Sequence, residues 1–296
     1  MWIGEAPRHG FLSFAFAPNG TIYTGDDLGS VLAWDRQTND YQELFELPKI
    51  NYGRQAVWRL ELAPEADRLF VPVTRKVHVL DLPDGTPGRH LRNTSSMMPR
   101  VGFSPDGSLL VTVSSGNRVT MWDVRTLEPQ DVPGPLGRVR GVAFVAFVGN
   151  GSRVLVIRQV NEEVSVWDAN TGERVGEVST KEIWCRACAL SSDRSAFAAC
   201  VVGGSEVRVF GLPDWIPRAT IRHNKPIEGL ALHPTGEFLA VTDGTRNVAL
   251  WNTTTGTKIG EWNWRIGDVR GIAFAPDGLT CAVGGVGRFV VFDVDL

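Results

Sequence analysis

Arginine and tryptophan recur together at one phase of this 296-residue chain. When its tight-turn sequences are superposed, Arg140, Arg186 and Arg270 fall at one equivalent position, and Arg59 and Arg100 fall one residue later. Trp58 and Trp184 stand close to two of them. A guanidinium offers a planar fork of donors that fits a carboxylate, and an indole offers a wide contact area and a cation–π face. These residue types make binding hot spots, and the complementary partner is an acidic or carboxylate-bearing peptide segment or protein loop. In Trp184-Cys185-Arg186 the alternation of an extended strand would send the indole and the guanidinium one way and the thiol the other.

Other reactive side chains do not converge. The five histidines, His9, His78, His90, His223 and His233, are scattered without His-x-His or His-x-x-His spacing. Asp26-Asp27 supplies too few oxygens for a cation site, and solvated loop acids are the simpler reading. Cys185-x-x-Cys188 lies inside a predicted strand, where a disulfide between the two would be strained, and no second ligand pair accompanies it. Cys200 ends an apolar strand and Cys281 sits in a similar one, so all four cysteines read as buried free thiols, which suit a reducing compartment. Val202-Gly203-Gly204 and Val283-Gly284-Gly285 read as hairpin turns and not as phosphate loops. No catalytic residue, metal or cofactor is expected.

The elements that would position the arginines repeat along the chain. Trp34-Asp35, Leu80-Asp81, Trp122-Asp123, Trp167-Asp168, Phe210-Gly211, Trp251-Asn252 and Phe292-Asp293 each close a short strand, at spacings of 46, 42, 45, 43, 41 and 41 residues. Turns recur in phase with them: Pro18-Asn19-Gly20, Pro105-Asp106-Gly107, Gly149-Asn150-Gly151, Pro234-Thr235-Gly236 and Pro276-Asp277-Gly278. Asn-Gly and Asp-Gly tolerate the positive φ of tight hairpins. Pro64-Glu65-Ala66-Asp67 and Ser191-Ser192-Asp193-Arg194 are degenerate versions. An array of this period buries the apolar face of each unit against its neighbours.

Composition agrees with one large β body. Hydrophobic residues make up 43% of the chain, 32 glycines suit many turns, and the net charge of -3 gives no bulk field for nucleic acid or anionic membrane. No stretch approaches the roughly 18 apolar residues of a membrane span, and the first residues lack a signal-peptide pattern. A cytoplasmic location is expected.

The repeat resembles the WD40 family. Phe-Ala-Phe-Ala-Pro-Asn-Gly at 14–20, Val-Gly-Phe-Ser-Pro-Asp-Gly at 101–107, Leu-Ala-Leu-His-Pro-Thr-Gly at 230–236 and Ile-Ala-Phe-Ala-Pro-Asp-Gly at 272–278 carry the likeness, with the Trp-Asp endings. The resemblance implies antiparallel four-stranded blades around a channel, with the starts of the innermost strands on the rim commonly used for partners. It also implies a blade-stabilising hydrogen-bond network, of which only His223 stands at the family's spacing, with Thr242, Trp251 and nearby Asp243. His9 lies two residues closer to its turn.

The expectation is a single domain over 1–296: an all-β, seven-bladed propeller of four-stranded antiparallel blades, its last blade completed by the N-terminal strand. Trp2-Ile3-Gly4-Glu5 repeats the outer-strand pattern of Val175-Gly176-Glu177 and Ile259-Gly260-Glu261. Trp34, Trp122, Trp167, His223 and Trp251 read as structural. Trp215, between Pro213 and Pro217, either covers a blade edge or offers a docking point. The function expected is a noncatalytic, monomeric protein- or peptide-interaction scaffold whose rim carries Trp58, Arg59, Arg100, Arg140, Trp184, Arg186 and Arg270. The alternatives are a sensor or regulatory domain binding a small anionic ligand at the channel mouth through the same arginines, arginines that only pair with loop acids such as Asp27, Asp243 and Asp268, and, less favoured, a hydrolase-type propeller enzyme.

Overall fold

Short apolar strands, each ended by a tight turn, pair with their sequence neighbours throughout the computed structural model. It describes residues 1–48, 55–73, 76–92, 101–114, 116–158, 163–178, 183–201 and 203–294, with backbone alone for 178 and 183–186. Every resolved pairing is antiparallel. Among the described residues the one helix is the 3₁₀ turn Gly134–Arg138.

The strands form six hydrogen-bonded sheets. Four contain four strands, beginning at Val101–Phe103, Val142–Val148, Ile183–Leu190 and Gly229–Leu232. A fifth contains Glu61–Leu62, Arg68–Val73, Lys76–Asp81 and an outer strand broken into Thr86–Pro87 and Leu91–Arg92. The sixth has seven strands, running from Gly271–Phe274 through Trp2–Phe16 to Asp40–Glu46. The expectation of seven separate four-stranded blades is therefore corrected. Five sheets have the size of a single blade, and the first and last repeats share one continuous sheet.

The physical reason is the Trp2–Phe16 strand, which is 15 residues long and serves two neighbours. Its first part pairs with Val286–Asp293, Trp2 opposite Val291 and Glu5 opposite Arg288. Its second part pairs with Ile22–Asp26, from Phe11 opposite Asp26 to Phe16 opposite Ile22. Register shifts between Glu5 and Gly10 and between Phe11 and Ser13 let it turn from one partner to the other without a loop. The N-terminal strand thus does complete the sheet of the C-terminal repeat. The N-terminal ammonium lies 3.0 Å from Asp293 Oδ2, and Arg288 Nε lies 3.0 Å from Glu5 Oε1. Gly4 is required at this seam, because a Cβ there would sit 2.2 Å from the Phe289 ring.

The chain divides into two units, residues 1–60 with 186–296, and residues 61–185. In the first, Phe11, Ile22, Leu32, Trp34 and Phe289 form a fully buried cluster. A second cluster there joins Ala198, Val207, Val209, Leu239 and Val241. In the second unit Phe70, Val77, Val79, Leu110 and Trp122 form one core, and Val111, Leu136, Val145, Phe147 and Val154 another. Each fully buried aliphatic or aromatic side chain contributes about 1.5–3 kcal/mol. The turns follow the sequence, with Gly20, Gly107, Gly151, Gly236 and Gly278 all at positive φ. Ala66 and Arg194 hold the same left-handed position in the degenerate turns, at φ 56° and 60°.

Candidate partner-binding site

Trp58 stands on a short connection whose backbone is fixed. Val57 N donates to the Asp26 carbonyl at 2.8 Å, and the Ser13 hydroxyl donates to the Val57 carbonyl at 2.8 Å. Val57 is buried as a result, and Trp58 beside it remains 43% exposed. Arg59 is half-buried and engaged by a neighbour. Arg270 is exposed, and its backbone N–H donates to the Gly284 carbonyl at 3.2 Å. The next residue, Gly271, would place a Cβ 2.7 Å from the backbone of Leu12, so this innermost strand packs directly against its neighbour. Leu12 precedes Ser13, which links this contact to Val57 and hence to Trp58.

In the other unit Arg140 is exposed, and its carbonyl accepts from Arg158 Nε at 3.1 Å. Arg158 also pairs with Glu163 at 2.8 Å. Among the described residues neither Arg140 nor Arg270 forms an ion pair; Asp243 instead meets His223 and Lys225. Arg100 lies outside the described residues, as do the side chains of Trp184, Cys185 and Arg186. Their grouping with the other arginines rests on the repeat alone.

The strand-end tryptophans lie inside the sheets. Trp34 is fully buried, and its Nε1–H donates to Thr24 Oγ1 at 2.9 Å. Trp122 donates to Thr112 Oγ1 at the same distance, and Trp167 to Ser165 Oγ. Trp251 differs: its Nε1 is buried without a partner among the described residues. The register explains this. Trp34 faces Ile22, and two residues back Leu32 faces Thr24. Trp251 faces Leu239, and two residues back Ala249 faces Val241. A methyl group therefore stands where Thr24 has its hydroxyl. Thr242 falls one residue later, on the opposite face, and its buried Oγ1 also has no partner among the described residues. The alignment of Thr242 with the family's network is corrected.

His9 and Asp26 supply what the spacing missed. His9 Nδ1 is hydrogen-bonded to Asp26 Oδ2, and Asp26 Oδ1 accepts from the N–H groups of Leu28 at 2.9 Å and Ser30 at 2.8 Å. Asp26 has no exposure at all, which overturns its reading as a solvated loop acid; Asp27 is the exposed one and caps Gly10 N at 2.8 Å. His223 meets Asp243 more loosely, at 3.4 Å, with Lys225 at 3.7 Å. Burial raises the Asp243 carboxyl, but hydrogen bonds from Thr245 and His223 and the Lys225 charge together hold it below the ordinary range.

Cys188, Cys200 and Cys281 are buried thiols. Burial, with Cys188 nearby, pushes the Cys200 thiol up to about 12, and burial raises Cys281 as well. Such thiols are inert as nucleophiles. Among the described residues no group of His, Cys, Asp or Glu is placed to hold a metal. Trp215 is 6% exposed between Phe197 and Phe210, so it covers the sheet edge and is not a docking point.

The family comparison meets this geometry at two of the repeats. The profile of the WD domain, G-beta repeat, matches residues 89–123 and 215–252, which end at the Trp122 and Trp251 strands. WD40 repeats are present at these two places. Nuclear distribution protein PAC1 of Arthroderma otae is 25% identical over 58% of this chain and 43% of its own length. Nuclear distribution protein nudF of Aspergillus niger is 24% identical over 64% of this chain and 46% of its own. This chain thus spans less than half the length of those relatives. A chain in the crystal structure of the mitotic checkpoint complex superposes with a TM-score of 0.75 at 15% identity, over 99% of this chain and 90% of that one. That likeness concerns the fold. WD40 propellers are commonly noncatalytic protein-interaction scaffolds.

Proposed function

We propose that this WD40 domain, a single propeller over 1–296, is a noncatalytic, monomeric cytoplasmic scaffold that holds an acidic segment of a protein partner. Trp58, Arg59 and Arg270 would form the contact in one unit, with Arg140 and the repeat-equivalent Arg100, Trp184 and Arg186 in the set. The observation that carries the reading is Trp58, 43% exposed beside a backbone held by two hydrogen bonds to the adjoining sheet. A large side chain on a fixed backbone loses little entropy on docking, and the neighbouring guanidinium adds a carboxylate fork.

The test is affinity capture from the native cell with the wild-type chain and with Trp58→Ala/Arg270→Ala and Trp184→Ala/Arg186→Ala. Loss of a central tryptophan contact should weaken capture by roughly thirtyfold, the equivalent of about 2 kcal/mol. The first pair is exposed or half on the surface, so its thermal transition should stay within about 2 °C of wild type. Undiminished capture by both variants would defeat the assignment.

A further inference from the structure

The unit of residues 61–185 carries a second feature, which involves none of the partner-site residues. The outer strand of its five-stranded sheet is broken. Pro87 faces Leu80 and Leu91 faces Val77, so four residue steps on the outer side span three on the inner side. The extra residue makes a bulge at Gly88-Arg89-His90, anchored by Gly88 N donating to the Val79 carbonyl at 2.8 Å. Bulges re-aim side chains. Here the bulge turns Arg89 and His90 over an open groove of about 480 Å³, shared with Arg92, Glu128 and the otherwise buried Trp122.

The groove collects positive charge. Among the described residues that line it, Arg89 and Arg92 stand against one acid, Glu128, which holds Arg89 at 2.7 Å. Arg92 Nε donates to His90 Nε2 at 3.0 Å, so that nitrogen carries a lone pair and the ring is neutral. The His78 ring lies 6.1 Å from that of His90, on the strand that also carries Lys76. Burial first, then the neighbouring His90 and Lys76, lower the His78 pKa; burial, then Arg92 and Lys76, lower that of His90. Burial and the neighbouring positive charges thus disfavour the imidazolium of His90.

We propose that this groove binds a phosphoryl-type oxyanion, held by the Arg89 and Arg92 guanidiniums and by His90. An arriving anion brings negative charge to this positively charged lining. It displaces Glu128 from Arg89 and favours the His90 imidazolium, which releases Arg92 Nε to the ligand.

The histidine C2–H resonances of the intact chain report this directly. They are assigned with His90→Gln and His78→Gln and titrated with inorganic phosphate at neutral pH and constant ionic strength. Saturable movement of the His90 signal, with its titration midpoint moving upward, is expected. Arg89→Gln or Arg92→Gln should weaken binding roughly tenfold, the effect of one lost charge-assisted hydrogen bond. Glu128→Gln should strengthen it roughly threefold, because Arg89 is then free of its competitor. Both Arg89 and Glu128 are largely exposed, so these variants keep the fold. A phosphoserine peptide that binds more tightly than inorganic phosphate, while its serine counterpart does not bind, identifies the source as a modified chain. Equal affinity for phosphate and the peptide identifies the free anion. Shifts that never saturate, or an affinity unchanged by both arginine substitutions, overturn the site.

Discussion

The region around Trp34 and the region around Trp251 are built to one plan and finished differently. Each has a tryptophan ending a strand, a histidine–aspartate pair near the strand starts, and an apolar neighbour sheet. Around Trp34 the network is closed by hydrogen bonds: His9 with Asp26, Asp26 with two backbone N–H groups, and Thr24 with the indole. Around Trp251 the His223–Asp243 contact is stretched to 3.4 Å, Val241 occupies the hydroxyl position, and two buried polar atoms have no partner among the described residues. The difference teaches that the strand-end tryptophan is placed by apolar packing and register. Its hydrogen bond is an addition that the sheet survives without. A buried N–H left unpaired costs about 1–3 kcal/mol, and the cores beside it outweigh that cost.

The largest contrast should come from the aspartates. His9→Ala leaves the fully buried Asp26 charge without its partner and should cost about 3 kcal/mol in urea unfolding. His223→Ala should cost about 1 kcal/mol, since Asp243 keeps Thr245 and Lys225. Equal losses would show that the two pairs do the same work, against the geometry. A smaller and opposite pair of effects is expected at the hydroxyl position. Thr24→Val should destabilise by about 1–2 kcal/mol, by orphaning the Trp34 N–H. Val241→Thr should stabilise by about 1 kcal/mol if it meets the Trp251 N–H, and a Trp251→Phe background should abolish that gain. A gain that persists with phenylalanine would place the new hydroxyl elsewhere.

The smallest effect is in acid. The Asp243 carboxyl is held below its ordinary value of 3.8, so the stability it contributes is complete above that value. It is lost as pH falls through the lowered value in the folded chain. Subtracting the Asp243→Asn stability from that of wild type between about pH 2 and pH 6 should therefore give a difference that shrinks toward acid. A difference that is flat over that range would mean that the carboxylate is not favoured by folding.

Much of this was legible in the residues. The Trp-Asp endings and Pro-Asp-Gly turns located the strands closely, because a tight turn needs those residue types and alternation shows which side is buried. His9 was illegible as a network member because spacing assumes a loop between one repeat's outer strand and the next repeat's inner strand. Trp2–Phe16 has no such loop and brings His9 to Asp26 from within the strand. Thr242 carries a hydroxyl near the right spacing, and only the ladder shows which of two adjacent residues shares a face with Trp251. The groove at His90 depends on a one-residue bulge in a strand whose pairing no local pattern announces.

From its order of residues alone this chain determined that it would be all-β, where its strands would break, and which family it resembles, since hairpins and alternation are local properties. Only the tertiary structure decided that the first and last repeats share one sheet, and which buried polar groups find partners. Those outcomes depend on the register between strands distant in sequence. A shift of one residue there moves a side chain to the opposite face and changes every contact it makes.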